Sequence, residues 1–191
     1  MSKIYVDGCS LTYGQGLDRQ YSVGNLLNAD IDKSRPGKSN TAMVTEIYPD
    51  IDFYDVFVIG FTFPSRYTFY NDNMPIEIQP GKDFLDILIG HPIGEFIEKT
   101  YPQFFKVLWS LTNEKKLTTL TDFYINSLIS LLKEKNKKYV IYSWGNDAKC
   151  LDQCFFIPNI PMDLDYRISK SDSHLNIKGM IELVNQIKEK L

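Results

Sequence analysis

The chain has 191 residues, 43% apolar and 24% charged, with a net charge of −3 at neutral pH. That is enough for one domain with its own core, and it argues against a polyanion-binding or membrane-surface protein. Three cysteines (Cys9, Cys150, Cys154) and two histidines (His91, His174) are too few and too scattered for a disulfide framework or a metal centre.

Lys3 to Val6 reads as a buried first strand, and "VDGCSLTYGQGL" (Val6 to Leu17) leads from it into a Gly-rich turn with Ser10 at the junction. The preceding "MSKIYVDG" lacks a signal-peptide core, and no later run has membrane-spanning length, so the expected compartment is the cytoplasm. Asn25 to Leu27 falls in a helix, and "RPGKSN" breaks the chain at Pro36 and Gly37. Asn40 is expected to cap a helix that starts at Thr41. "DVFVIG" (Asp55 to Gly60) is a continuous apolar run bounded by a charge and a glycine, which predicts a fully buried strand. Residues 63–93 fit no regular pattern and are rich in aromatics (Phe63, Tyr67, Phe69, Tyr70, Phe84), as expected of a lid or binding loop. Two helical patterns follow, at about Gly94 to Leu111 and about Thr118 to Lys135. "KYVIYSW" (Lys138 to Trp144) is another buried strand, and the lysines around it (Lys133, Lys135, Lys137, Lys138) mark a solvated helix end. An amphipathic helix closes the chain from about Asn176 to Lys190, with Ile177, Met180, Ile181, Val184 and Ile187 as its apolar face.

Short buried strands alternating with helices predict an α/β fold: one domain over 1–191, a mainly parallel sheet covered by helices on both faces, and an insertion at about 63–115. In such sheets the site lies beyond the carboxyl ends of the strands. That rule marks the turns after Val6, Gly60 and Trp144.

Ser10 stands where a strand hands over to a helix. There it either caps the helix or exposes a hydroxyl beyond the sheet, with its own N–H ready to bind a developing oxyanion. "SKSDSHLNIKG" (Ser169 to Gly179) puts Asp172 and His174 in a polar loop before the last helix. A serine needs a base to take its proton, and the base needs a partner that fixes its tautomer. Asp172 and His174 are the residue types that would supply both; the alternative is a surface histidine near a helix start.

Taken together, "GCSLTYG" (Gly8 to Gly14), "PGKSN" (Pro36 to Asn40) and the Asp-x-His before the last helix resemble the SGNH (GDSL-type) hydrolase family, in the family's order and over nearly the whole chain. The resemblance implies a three-layer αβα sandwich of SGNH or flavodoxin-like type and no cofactor. It implies Ser10 as nucleophile, His174 as general base, Asp172 as its orienting partner and the Gly37 N–H as an oxyanion donor. It also implies a small-molecule or carbohydrate ester as substrate, such as an O-acetyl group. The chain departs from the family pattern at three places. Cys9 replaces the aspartate of "GDS", and Asp172 is two rather than three residues before the histidine. Thr62, in "VIGFTFPSR", stands where the family's third block has its asparagine. Thr62, Asn40 and Asn146 are the candidates for the missing donor, with Thr62 first; the "GND" at Gly145 to Asp147 follows a later strand and is read as a decoy. "FTFPSRY" resembles a phage and bacterial subgroup of SGNH-like proteins, and Arg66 within it is a candidate anion-binding residue. Ser65 and His91 are weaker candidates for a role at the site. The missing asparagine also keeps open an inactive SGNH-fold binding module, for instance a phage-associated one.

Overall fold

A computed structural model describes residues 2–62, 67–71, 74–78, 114–143, 155–156 and 164–191. The elements in chain order are β1 (Ile4–Gly8), α1 (Ser10–Tyr13), α2 (Val23–Leu26), β2 (Ile31–Asp32), α3 (Asn40–Ile47), β3 (Val56–Phe61), β4 (Tyr67–Asn71), β5 (Met74–Ile78), α4 (Glu114–Glu134), β6 (Lys138–Ser143), β7 (Phe155–Phe156) and α5 (Ile177–Lys190). The main sheet has the order β2-β1-β3-β6-β7, and every pairing in it is parallel.

The central strands are apolar on both faces because both faces are covered. Side chains alternate across the pleat. Tyr5, Phe57, Ile59 and Ile141 therefore pack on one side with Met43 and Ile47 of α3 and Ile125, Leu128, Ile129 and Leu132 of α4. Val6, Val58, Val140 and Tyr142 pack on the other side with Val23 of α2 and Met180, Leu183, Val184 and Ile187 of α5. The predicted α/β sandwich is thus the architecture observed. Asn176 begins α5 as its cap, the side-chain oxygen accepting the Gly179 N–H at 3.0 Å.

Two expectations are corrected. The helix after the Pro-Gly break is capped by Ser39, whose hydroxyl accepts the Ala42 N–H at 3.2 Å; Asn40 is already its first residue. Within residues 63–93, 67–71 and 74–78 form an antiparallel strand pair, Tyr67 opposite Ile78, where no regular structure was expected. The helix expected over 94–111 lies outside the described residues. No helix among the described residues is long and apolar enough to cross a membrane, and no group of three ligating side chains among them could hold a metal ion.

Candidate active site

The carboxyl ends of β1, β3 and β6 lie side by side, with Gly8 opposite Gly60 and Gly60 opposite Tyr142. Two adjacent glycines leave a depression at this sheet edge, and α1 fills it. The Thr12 side chain lies against both, so that a Cβ at Gly8 or Gly60 would collide with it. Its hydroxyl shares a 2.8 Å hydrogen bond with the buried Tyr142 hydroxyl. This seat fixes α1 on the sheet, and with it Ser10. Ser10 does not cap the helix: Cys9 occupies the N-cap in an extended conformation with no side-chain cap bond, and Ser10 is the first helical residue. The Ser10 N–H therefore belongs to the first turn, whose N–H groups have no acceptor within the helix. Leu11 packs against both core clusters, which holds the next residue from both faces of the sheet.

The second segment runs from β2 to α3. The Arg35 N–H donates to the Gly8 carbonyl at 3.1 Å, which ties this loop to the end of β1. Gly37 turns the chain at φ 80°, a conformation that favours glycine. Next to it Lys38 folds inward and is fully buried. Its Nζ donates to Asp7 Oδ1 at 2.6 Å and Oδ2 at 2.7 Å, to Glu46 Oε2 at 2.8 Å and to the Lys33 carbonyl at 3.2 Å. Arg35 completes the cluster with a two-pronged pair to Glu46 at 2.8 and 2.9 Å. Two cations and two anions balance in it. Burial pushes the Asp7 carboxyl up to about 7, against the pull of the Lys38 ammonium. Sequence reasoning missed this network. Its one visible signal was a carboxylate inside the apolar run "IYVDG".

Asn40 and Thr62 are brought together, as main chain to side chain. Asn40 Nδ2 donates to the Thr62 carbonyl at 2.8 Å, and the Thr62 N–H donates to Asn40 Oδ1 at 2.7 Å. Both residues are buried, so the amide closes a dry ring that ties the end of β3 to the start of α3. Of the two candidate donors, Asn40 is committed through one N–H and its carbonyl, whereas the Thr62 hydroxyl takes no part in the ring.

The third segment is the loop before α5. His174 Nδ1 lies 2.6 Å from Asp172 Oδ1, and the same oxygen accepts the His174 backbone N–H at 2.9 Å. One carboxylate oxygen thus fixes both main chain and ring, with the proton on Nδ1 and the Nε2 lone pair facing away. The His174 backbone N–H first, and the imidazole after it, hold the Asp172 carboxyl below the usual carboxylate range. Ser171, where the family pattern has its aspartate, instead meets the Ser169 hydroxyl at 3.1 Å. The two-residue spacing therefore orients the imidazole.

The two ends of the chain meet. Leu175, next to His174, is buried in the cluster against which Leu11, next to Ser10, also packs. Ile168 lies against Gly16 of the turn that follows α1, and its N–H donates to the His174 carbonyl at 2.9 Å. Among the described residues Ser10 and His174 are not hydrogen-bonded to each other; catalytic hydrogen bonds often tighten only when substrate is bound. Arg66, Ser65, His91 and Asn146 lie outside the described residues.

The parallel α/β sandwich is the fold of the SGNH (GDSL-type) hydrolases, and this chain has that fold. No family model and no curated protein matches the sequence. Solved structures match along the whole chain. The psychrotrophic esterase EstA from Pseudoalteromonas sp., solved with monoethylphosphonate as inhibitor, is 12% identical at a TM-score of 0.56, covering 100% of this chain and 96% of its own. A putative lipolytic protein of the G-D-S-L family from Desulfitobacterium hafniense is 9% identical at 0.56, covering 100% of both chains. TesA is 11% identical at 0.57, covering 99% of this chain and 97% of its own. At these identities the likeness is one of fold.

Proposed function

We propose that the chain is a serine hydrolase that cleaves a small ester through an acyl-serine intermediate. The observation that carries this reading is the Asp172–His174 pair, its ring fixed by one carboxylate oxygen at 2.6 and 2.9 Å in a loop that packs against the Ser10 turn. Ser10 Oγ attacks the acyl carbon while His174 Nε2 takes its proton. The oxyanion is met by the N–H groups of Ser10 and Gly37 and by the Thr62 hydroxyl. As the tetrahedral adduct collapses, His174 returns the proton to the leaving alcohol. Water, activated by the same imidazole, then releases the acid. A threonine hydroxyl reaches less far than an asparagine amide, so a modest turnover is expected, on small acyl groups such as O-acetyl esters of carbohydrates.

That same threonine favours a second reading, an SGNH-fold binding module without turnover, of the kind a phage particle would carry. The test is hydrolysis of p-nitrophenyl acetate at about pH 8 by the wild type and by Ser10→Ala. Turnover that disappears in the variant supports the hydrolase. Equal background rates for both proteins favour the binding module.

A further inference from the structure

We propose that Asp7 and Lys38 are positioning residues for the oxyanion hole, their buried ion pair setting the distance between the Ser10 and Gly37 turns. The inference deepens the hydrolase reading and rests on it. Asp7 is the last side chain before the Gly8-Cys9-Ser10 turn, and its Oδ1 also accepts the Gly8 N–H at 2.7 Å. Lys38 directly follows Gly37 and holds both Asp7 oxygens at 2.6 and 2.7 Å. Each partner is thus within three residues of a main-chain N–H proposed to bind the oxyanion. The ammonium is held from two further sides, by Glu46 on α3 at 2.8 Å and by the Lys33 carbonyl at 3.2 Å, so it cannot follow a moving loop.

Stability alone does not account for such a pair. Fully buried charges lose their hydration, and well-packed apolar residues of similar volume often hold a fold as well or better. What the apolar alternative lacks is direction. A salt bridge made from both carboxylate oxygens defines where Gly37 sits relative to Gly8, and an oxyanion hole depends on donor placement to a few tenths of an ångström.

The test compares wild type with the apolar double variant Asp7→Leu/Lys38→Met, measuring kcat, KM and Tm with p-nitrophenyl acetate. Lys135→Ala serves as control; it removes the exposed 3.0 Å pair with Asp52, whose residues precede the amino ends of β6 and β3, opposite the carboxyl ends that carry the site. The expected result is a kcat roughly 10–100-fold lower in the double variant, a KM within about threefold and a Tm at or above wild type. The control should match wild type in all three. If the double variant does not fold, Asp7→Asn supplies the same kcat and KM comparison. A kcat within about twofold of wild type in the folded variant overturns the positioning role. A wild type without Ser10-dependent turnover fails the underlying reading instead, so the two failures are distinct.

Discussion

Replacing Asn40 by alanine tests the clasp at the end of β3. In the native protein one amide satisfies both main-chain groups of Thr62, at 2.7 and 2.8 Å, and the two residues are only 2% and 4% exposed. Asn40→Ala leaves a buried N–H and a buried C=O without partners. Each orphaned group costs about 1–3 kcal/mol, so the loss should be about 2–5 kcal/mol, allowing for some relief by entering water. Against a total stability of roughly 5–15 kcal/mol that is a large fraction. Urea unfolding reads it directly. With a slope of about 2 kcal/mol per molar, the midpoint should fall by about 1–2.5 M with the slope unchanged. Asn40→Asp should do no better than alanine, because its second oxygen would face the Thr62 carbonyl. A midpoint shift below about 0.3 M for Asn40→Ala would refute the clasp.

Three further outcomes follow from the same geometry. Gly60→Ala drives a Cβ into Thr12 and the Tyr142 ring; overpacking of about 1–3 kcal/mol should lower Tm by roughly 2–12 °C in a chain of this size, and an unchanged Tm would show that α1 is not seated there. Asp172→Ala frees the His174 ring from its 2.6 Å partner; kcat should fall by about 10²–10⁴ with KM little changed, and a loss below tenfold would mean that the carboxylate is not the orienting group. Asp7 titrates from 3.8 in the unfolded chain and about 7 in the folded one, so protonation favours the fold. That contribution is complete below about pH 4 and is lost as the pH rises through about 7. Relative to Asp7→Asn, the wild-type Tm should therefore decline between about pH 4 and pH 8, and parallel Tm profiles would contradict it.

The central strands were legible because a parallel sheet buried on both faces writes itself as unbroken apolar runs. "DVFVIG" and "KYVIYS" show this, and β3 extends to Phe61 because the ladder continues opposite Ser143. The last helix was legible from its apolar spacing, with Asn176 as its start. Strand β2 was not, since Ile31 and Asp32 become a strand only by pairing with Tyr5 and Val6. The pair β4–β5 was hidden by Pro75, a residue that ordinarily argues against a strand.

At the candidate site, Ser10, Asp172 and His174 were legible as residue types in order. The Asp172–His174 pairing was within reach because the two lie only two positions apart. The Asp7–Lys38 pair joins positions 31 residues apart, and no local pattern announces it. The step from Asn40 as cap and candidate donor to Asn40 as clasp also needed the sheet, because its partner at Thr62 is brought in by β3.

The central claim is that an imidazole from one end of the chain activates a hydroxyl at the other. Intact-mass kinetics with a fluorophosphonate probe, followed by peptide mapping, measure this in wild type, Ser10→Ala and His174→Ala. The account predicts a single adduct on Ser10, absent from Ser10→Ala and formed at least about 10²-fold more slowly in His174→Ala. An adduct on another residue, or an equal rate of Ser10 labelling without His174, would contradict it.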